Sequence, residues 1–223
     1  MRVYRPYHLQ HHRHTQGPKD PDLELSAPFP ISRASLWRKL RRDLLGITGY
    51  QRRRAQFRQQ MGAGPLGGRL LRLLRAERPF FISNGLLCAG LILAGHGWLY
   101  PALWLVPMLT WYQLASRVRN IAEHAVVGPA DDPLRNTRTT RANRLERALW
   151  APYWVNYHLE HHLFIFAPCW RLPTAHRWLG ELALWPKMEL ADGYRQVLGL
   201  ACSRPTDDTA PPGGRKSSRV QAI

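Results

Sequence analysis

PFFISNGLLCAGLILAGHGWLYPALWLVPMLTWYQLAS, from Pro79 to Ser116, is 38 residues without an Asp, Glu, Lys or Arg. As one helix it would run about 57 Å at about 1.5 Å per residue. A bilayer core is about 30 Å thick and needs roughly 20 residues, so the block is too long for one pass and about right for two. Gly95-His96-Gly97-Trp98-Leu99-Tyr100-Pro101 supplies the break, because two glycines and a proline end a helix. Trp98, Tyr100 and Trp104 suit a membrane interface. The pattern predicts a helical hairpin over about 80–116, with legs Phe80–Ala94 and Ala102–Ala115. The competing reading, a hairpin buried in a soluble protein, would carry a polar stripe, and this block has almost none. The expected fold class is all-α: an integral membrane helical protein with one transmembrane hairpin and further cytoplasmic and interfacial helices.

The flanks set the orientation. Arg69, Arg72, Arg75 and Arg78 precede the first leg, Arg117 and Arg119 follow the second, and the turn has no charge. The positive-inside rule then places both outer ends in the cytoplasm. The expected localisation is the inner cell membrane, multi-pass, with everything before residue 79 and after 116 on the cytoplasmic face. The net charge of +17 is uneven, since residues 1–78 hold 17 basic and 5 acidic side chains. The runs Arg38-Lys39-Leu40-Arg41-Arg42 and Arg52-Arg53-Arg54 fit attraction to anionic lipid headgroups, about 1 kcal/mol per residue. No helix-turn-helix, zinc-finger or RNA-binding signature accompanies them, so nucleic acid is not an expected partner. Cys88, Cys169 and Cys202 form no CxxC pair, which excludes a zinc ribbon and a thioredoxin-like motif. Residues 203–223 are rich in Pro, Gly, Ser and charge and read as a disordered tail.

The chain has ten histidines, nine of them in the parts expected on the cytoplasmic side. His8-Leu9-Gln10-His11-His12 has HxxHH spacing, and His158-Leu159-Glu160-His161-His162 repeats it. Positions i, i+3 and i+4 share a helix face, so each triplet is expected to aim three imidazoles at one point. Asn120 and His124, spaced i, i+4 just past the hairpin, share a face as well. Seven histidines at one membrane surface exceed the three or four ligands of a mononuclear site and imply two metals. Imidazole suits Fe, Zn, Cu and Ni, and spacing does not choose among them. His14 reads as solvated, His96 as interfacial on the far side, and His176 as structural. The aromatics of Leu149-Trp150-Ala151-Pro152-Tyr153-Trp154-Val155 suit either interfacial anchoring or the wall of an apolar slot.

HLQHHRHT with Asp20-Pro21-Asp22 behind it, RNIAEH at 119–124, NYHLEHHLF at 156–164 and Arg171-Leu172-Pro173 resemble the membrane fatty acid desaturase family. The likeness runs to about residue 180, so residues 1–202 are expected to form one desaturase-like domain, 203–223 being the tail. The resemblance implies that His8, His11 and His12 are the family's second histidine box and His158, His161 and His162 its third. His124 matches an additional ligand, and Asn120 a position that contacts metal through water. It implies two non-haem irons, O2 as co-substrate, an acyl lipid substrate that gains a C=C bond, and electrons from a separate ferredoxin-like or cytochrome partner. Zinc, having no redox chemistry, cannot attack an unactivated C–H bond.

Two features depart from the family pattern. Phe164-Ile165-Phe166 stands where Phe-Pro is usual. The family's first box, of HxxxH or HxxxxH type, normally lies upstream of the second, and only seven residues precede His8. Incomplete iron binding and little or no activity are therefore expected of these 223 residues alone. The same histidine architecture serves a di-iron hydroxylase or ketolase acting on lipids, alkanes or carotenoids, and a non-catalytic remnant is the third reading.

Overall fold

The computed structural model describes residues 4–23 and 28–203. The expected disordered tail thus lies outside the described residues except for Ser203. Eleven α-helices are described: α1 (Tyr4–His14), α2 (Arg33–Leu44), α3 (Ile47–Met61), α4 (Leu66–Ala76), α5 (Arg78–Leu93), α6 (Val106–Leu109), α7 (Trp111–His124), α8 (Arg144–Leu149), α9 (His158–Leu163), α10 (Leu172–Glu181) and α11 (Tyr194–Ala201). The expected helical class holds, with one addition. A two-stranded parallel ladder, β1 (Thr139–Thr140) and β2 (Leu190–Ala191), pairs Thr139 with Leu190 and Thr140 with Ala191. Two-residue strands are too short to show a period in sequence.

The charge-free block forms a bent hairpin rather than two full passes. α5 begins with Pro79 in its first turn and stops at Leu93, where Gly95 adopts a left-handed φ of 76°. Its 16 residues span about 24 Å at about 1.5 Å per residue. The return leg is a π-helical turn, Pro101–Leu105, running into α6. It breaks at Thr110, whose φ of −110° and ψ of −83° lie outside the helical region. Among the described residues no helix is long and apolar enough to cross a membrane. The expected second leg, Ala102–Ala115, is overturned because its last part belongs to the packed protein: α7 restarts at Trp111 and buries Leu114, Val118, Ile121 and Ala122.

Those four positions form the stripe expected of an amphipathic helix. They pack on Leu36 of α2, on Tyr194, Val197 and Ala201 of α11, and on Ile31 and Ala151. Arg117 of α7 makes a two-pronged ion pair with Asp43 of α2, whose second prong measures 3.0 Å; the planar guanidinium fork suits this geometry. α3 crosses α6 closely. A Cβ on Gly49 would stand 2.3 Å from the Leu109 carbonyl oxygen, so the crossing requires glycine. A second, smaller core joins Leu159 of α9, Leu179 of α10 and Met188. α5 is different in kind. It buries no residue, and Leu86 and Leu93 are 71% and 89% exposed.

α8 starts with a capping box. The Asn143 side chain accepts from the Glu146 backbone, and the Glu146 side chain accepts from the Asn143 backbone. Glu146 also accepts from the Tyr194 backbone N–H at 2.9 Å, tying α11 to α8. Asn143→Ala removes one cap and is expected to cost about 1 kcal/mol, measured as a lower denaturant midpoint with an unchanged slope.

Candidate metal centre

Three elements bring the histidines together. α1 carries His8, His11 and His12, α7 ends on His124, and α9 carries His158, His161 and His162. All seven histidines singled out from sequence fall in two adjoining clusters: His11, His124, His158 and His162 in one, and His8, His12 and His161 in the other. Each HxxHH triplet is divided between the two, which corrects the expectation of one focus per triplet. The reason is angular. At about 3.6 residues per turn, i and i+4 diverge by about 40°, whereas i+3 falls about 60° to the other side of i. His8 and His12 therefore converge while His11 turns to the neighbouring cluster, and His158 and His162 converge while His161 crosses over.

The clusters touch, with the His12 and His162 rings stacked at 4.1 Å. In the three-histidine cluster the Nε2 atoms of His8, His12 and His161 lie 3.1, 3.1 and 3.2 Å apart. In the other, His158 Nε2 lies 2.9 Å from His124 Nε2 and 3.1 Å from His162 Nε2. A neutral imidazole Nε2 is either an N–H or a lone pair. Among three mutually adjacent atoms of two kinds, at least two are alike, so hydrogen bonds cannot satisfy the triangle. A cation at its centre can. Nitrogens about 2.1 Å from one ion and about 95° apart lie about 3.1 Å from each other, a separation compatible with imidazole–metal distances.

The protonation state fits the same role. Burial, followed by the neighbouring imidazoles, lowers the pKa of His12 to about 3 and of His161 to about 4. Burial and the nearby His11 lower that of His124 to about 3. His8 is lowered, and His158 and His162 lie well below the ordinary value, burial again leading. These six rings are thus held toward the neutral form that ligates metal.

Oxygens on the far side orient the rings. His11 Nδ1 donates to Asp20 at 2.8 Å. Asp20 is itself fixed by the backbone N–H groups of Gln16 and Asp22, at 2.9 and 2.8 Å. The Thr15 hydroxyl donates to the His11 carbonyl at 3.0 Å and stands 3.2 Å from His162 Nδ1, so it accepts from that ring. Glu123 lies 3.8 Å from His158 Nδ1 and pairs with Arg119 at 3.3 Å. Burial raises the Glu123 pKa, against the lowering pull of Arg119. Each contact turns an Nε2 inward, as in carboxylate–histidine–metal arrangements.

Other determinants stabilise the helices that carry the ligands. Glu160, inside the third triplet, faces away from the clusters. It is fully buried, accepts from the Thr139 hydroxyl and accepts from His176 Nδ1 at 2.6 Å. His176 is therefore structural, as expected, and fastens α9 to α10. Buried Arg138 donates to the carbonyls of Ala125, at 3.0 Å, and of Val126, capping the end of α7 that holds His124. Gln16 donates to the His124 carbonyl at 2.8 Å. Asn120 is half-buried one turn before His124 and forms no hydrogen bond with the seven among the described residues. His14 and His96 are exposed and outside both clusters.

The sequence pattern of the fatty acid desaturase family matches residues 1–193. The chain belongs to the fatty acid desaturase family. A relative, a dihydrorhizobitoxine desaturase from Bradyrhizobium elkanii, is 36% identical over 77 residues. That match covers 33% of this chain and 21% of the relative, so the chain spans about a fifth of that protein's length. No solved structure matches. The two histidine clusters lie within the matched residues and offer ligand atoms that could hold metal. For this desaturase-family chain, Asp20→Ala frees His11 to rotate and is expected to weaken metal binding about 10–100-fold, measured by competition with a calibrated chelator.

Proposed function

We propose that this chain supplies the histidine centre of an O2-dependent di-iron desaturase that introduces a C=C bond into an acyl chain. The observation that carries the reading is the division of seven imidazoles into adjoining sets of four and three, with Nε2 atoms turned inward. His11, His124, His158 and His162 would hold one iron and His8, His12 and His161 the other, with Asn120 available through water. When bound, the irons supply the O2-dependent redox chemistry that an unactivated C–H bond demands and zinc lacks. The relative's name assigns it desaturation of dihydrorhizobitoxine; the reaction type, and not that substrate, is carried to this chain.

The residues around the centre suit a hydrocarbon. A groove of about 570 Å³ is bordered by Trp104, Trp111, Tyr112, Ala115, Arg119 and Trp150, with Trp111 and Trp150 stacked at 5.1 Å. Through Arg119 and Glu123 its lining reaches His158. An apolar groove excludes water from a reacting chain. The all-round apolar exposure of α5 suits immersion in lipid. We place the hairpin in the inner cell membrane with the histidines on the cytoplasmic face, following the arginines that flank it. Electrons come from a separate ferredoxin-like or cytochrome donor, and a surface with net charge +17 favours an acidic one.

The test is the iron content of protein isolated from its native host, together with the mass change of a lipid substrate under O2 and a reductant. Iron at the clusters and a product lighter by two hydrogens support the reading. Gain of one oxygen atom replaces desaturation with hydroxylation, and a protein that takes up no iron overturns the reading.

A further inference from the structure

Two apolar grooves meet at one cation. The first is the groove of about 570 Å³ described above. The second, of about 490 Å³, lies between α3 and the hairpin and is bordered by Phe57, Phe81, Gly85, Cys88 and Tyr100. Arg53 and Met108 border both. A hydrogen-bonded knot separates them. Trp104, on the first groove, and Tyr100, on the second, both donate to Asn84 Oδ1, at 2.7 and 2.9 Å.

Neither groove is bordered by an acidic residue. The first has a second cation, Arg119, but it is committed to Glu123. Arg53 has no carboxylate within ion-pair reach among the described residues. It donates to Gln56 Oε1 at 3.0 Å, meets Met108 Sδ at 3.6 Å and lies over the Phe80 ring at 5.7 Å. These contacts hold the guanidinium in place without neutralising it. A half-exposed cation between two separate apolar troughs complements an anion from which two hydrocarbon chains diverge, and the guanidinium fork matches phosphate.

We infer that Arg53 is the headgroup site of a two-chain anionic phospholipid, with one chain in the Trp104–Trp111–Trp150 groove and the other in the Phe57–Gly85–Tyr100 groove. The substrate of the centre is then one chain of an intact phospholipid rather than a free fatty acid. That last step rests on the proposed desaturase reading, whereas the headgroup site and the second groove stand on geometry alone.

The experiment is native mass spectrometry of the full chain in detergent, with three probes: dioleoyl-phosphatidylglycerol, its one-chain lyso form, and dioleoylglycerol, which lacks the phosphate. A charged hydrogen bond is worth about 1.5–3 kcal/mol, so dioleoyl-phosphatidylglycerol should be retained at least about tenfold more strongly than dioleoylglycerol. The lyso form should be weaker by a similar factor. Arg53→Gln should reduce phosphatidylglycerol retention to that of dioleoylglycerol, and Arg53→Lys should retain most of it. Gly85→Phe fills the second groove, and a Cβ there meets nothing within 4 Å, so α5 accommodates it. This variant should bind the two-chain lipid no better than the lyso form and leave lyso binding unchanged. Equal retention of the three probes, or undiminished phosphatidylglycerol retention in both Arg53→Gln and Gly85→Phe, overturns the inference. Iron uptake is read on the same samples. Loss of the lipid result with intact iron uptake removes the lipid site alone, and lipid retention without iron supports the lipid site while removing the di-iron reading.

Discussion

His158→Ala is expected to strip iron from the four-histidine cluster while the three-histidine cluster keeps its own capacity. His158 Nε2 is the atom nearest both His124 Nε2, at 2.9 Å, and His162 Nε2, at 3.1 Å. Its removal leaves His11, His124 and His162 without the nitrogen that sits between two of them. Losing a ring that orients a ligand costs about 10–100-fold in affinity, and losing the ligand itself should cost more. On the proposed di-iron reading, iron bound per chain should fall by about one ion. His161→Ala should do the same to the other cluster, because His161 closes the triangle with His8 and His12. His176→Ala supplies the contrast. That ring touches Glu160 and not the clusters, so stability should fall while iron content is maintained. Equal iron loss in all three variants would show that the clusters report folding rather than ligation.

The sequence exposes residues whose meaning lies in short-range spacing and hides those whose meaning lies in long-range pairing. The HxxHH triplets and His124 stand out because helical periodicity places them on shared faces, and the structure gathers all seven. Their division into four and three is also latent in the period, since i+3 and i+4 fall on opposite sides of i, but spacing alone does not say which neighbour lies on each side. Asp20, Thr15, Glu123, Glu160 and Arg138 give no such signal. Glu160 looks like a surface acid beside two histidines, yet it is fully buried because Thr139 and His176, 21 and 16 residues away, close on it. Arg138 looks like one more cation in a basic chain, and only the fold reveals it capping α7. The hairpin shows the opposite failure. Absence of charge predicted two complete legs, but the Thr110 break and the buried stripe of α7 assign Trp111 onward to the packed protein.

Acid should unfold the metal-free protein over a window set by the same histidines. In the unfolded chain each imidazole takes up a proton near the ordinary value of 6.5, whereas in the folded chain His124 and His12 do so only near pH 3 and His161 near pH 4. Below 6.5 the unfolded state therefore binds more protons, and stability falls as pH falls. For these three rings the loss begins at about pH 6.5, is absent above it, and levels off near pH 3, once they protonate in the folded state too. Each unit of depression corresponds to about 1.4 kcal/mol, so buried His124 alone contributes on the order of 5 kcal/mol across the window. His8, His12 and His161 contribute less than their shifts suggest, because they are partly exposed and screened. Summed over the clusters, the penalty rivals the stability of a typical domain, about 5–15 kcal/mol. The metal-free protein should unfold cooperatively between about pH 6 and 4. Bound metal competes with protons for the same nitrogens, so loading should move the transition to lower pH. Circular dichroism against pH, with and without iron(II) under anaerobic conditions, measures the displacement. A transition unmoved by metal would mean that the protons taken up on unfolding go to groups outside the clusters. His124→Phe provides the internal check: it removes one depressed titration without opening a cavity and should flatten the pH dependence of the metal-free protein between 6.5 and 3.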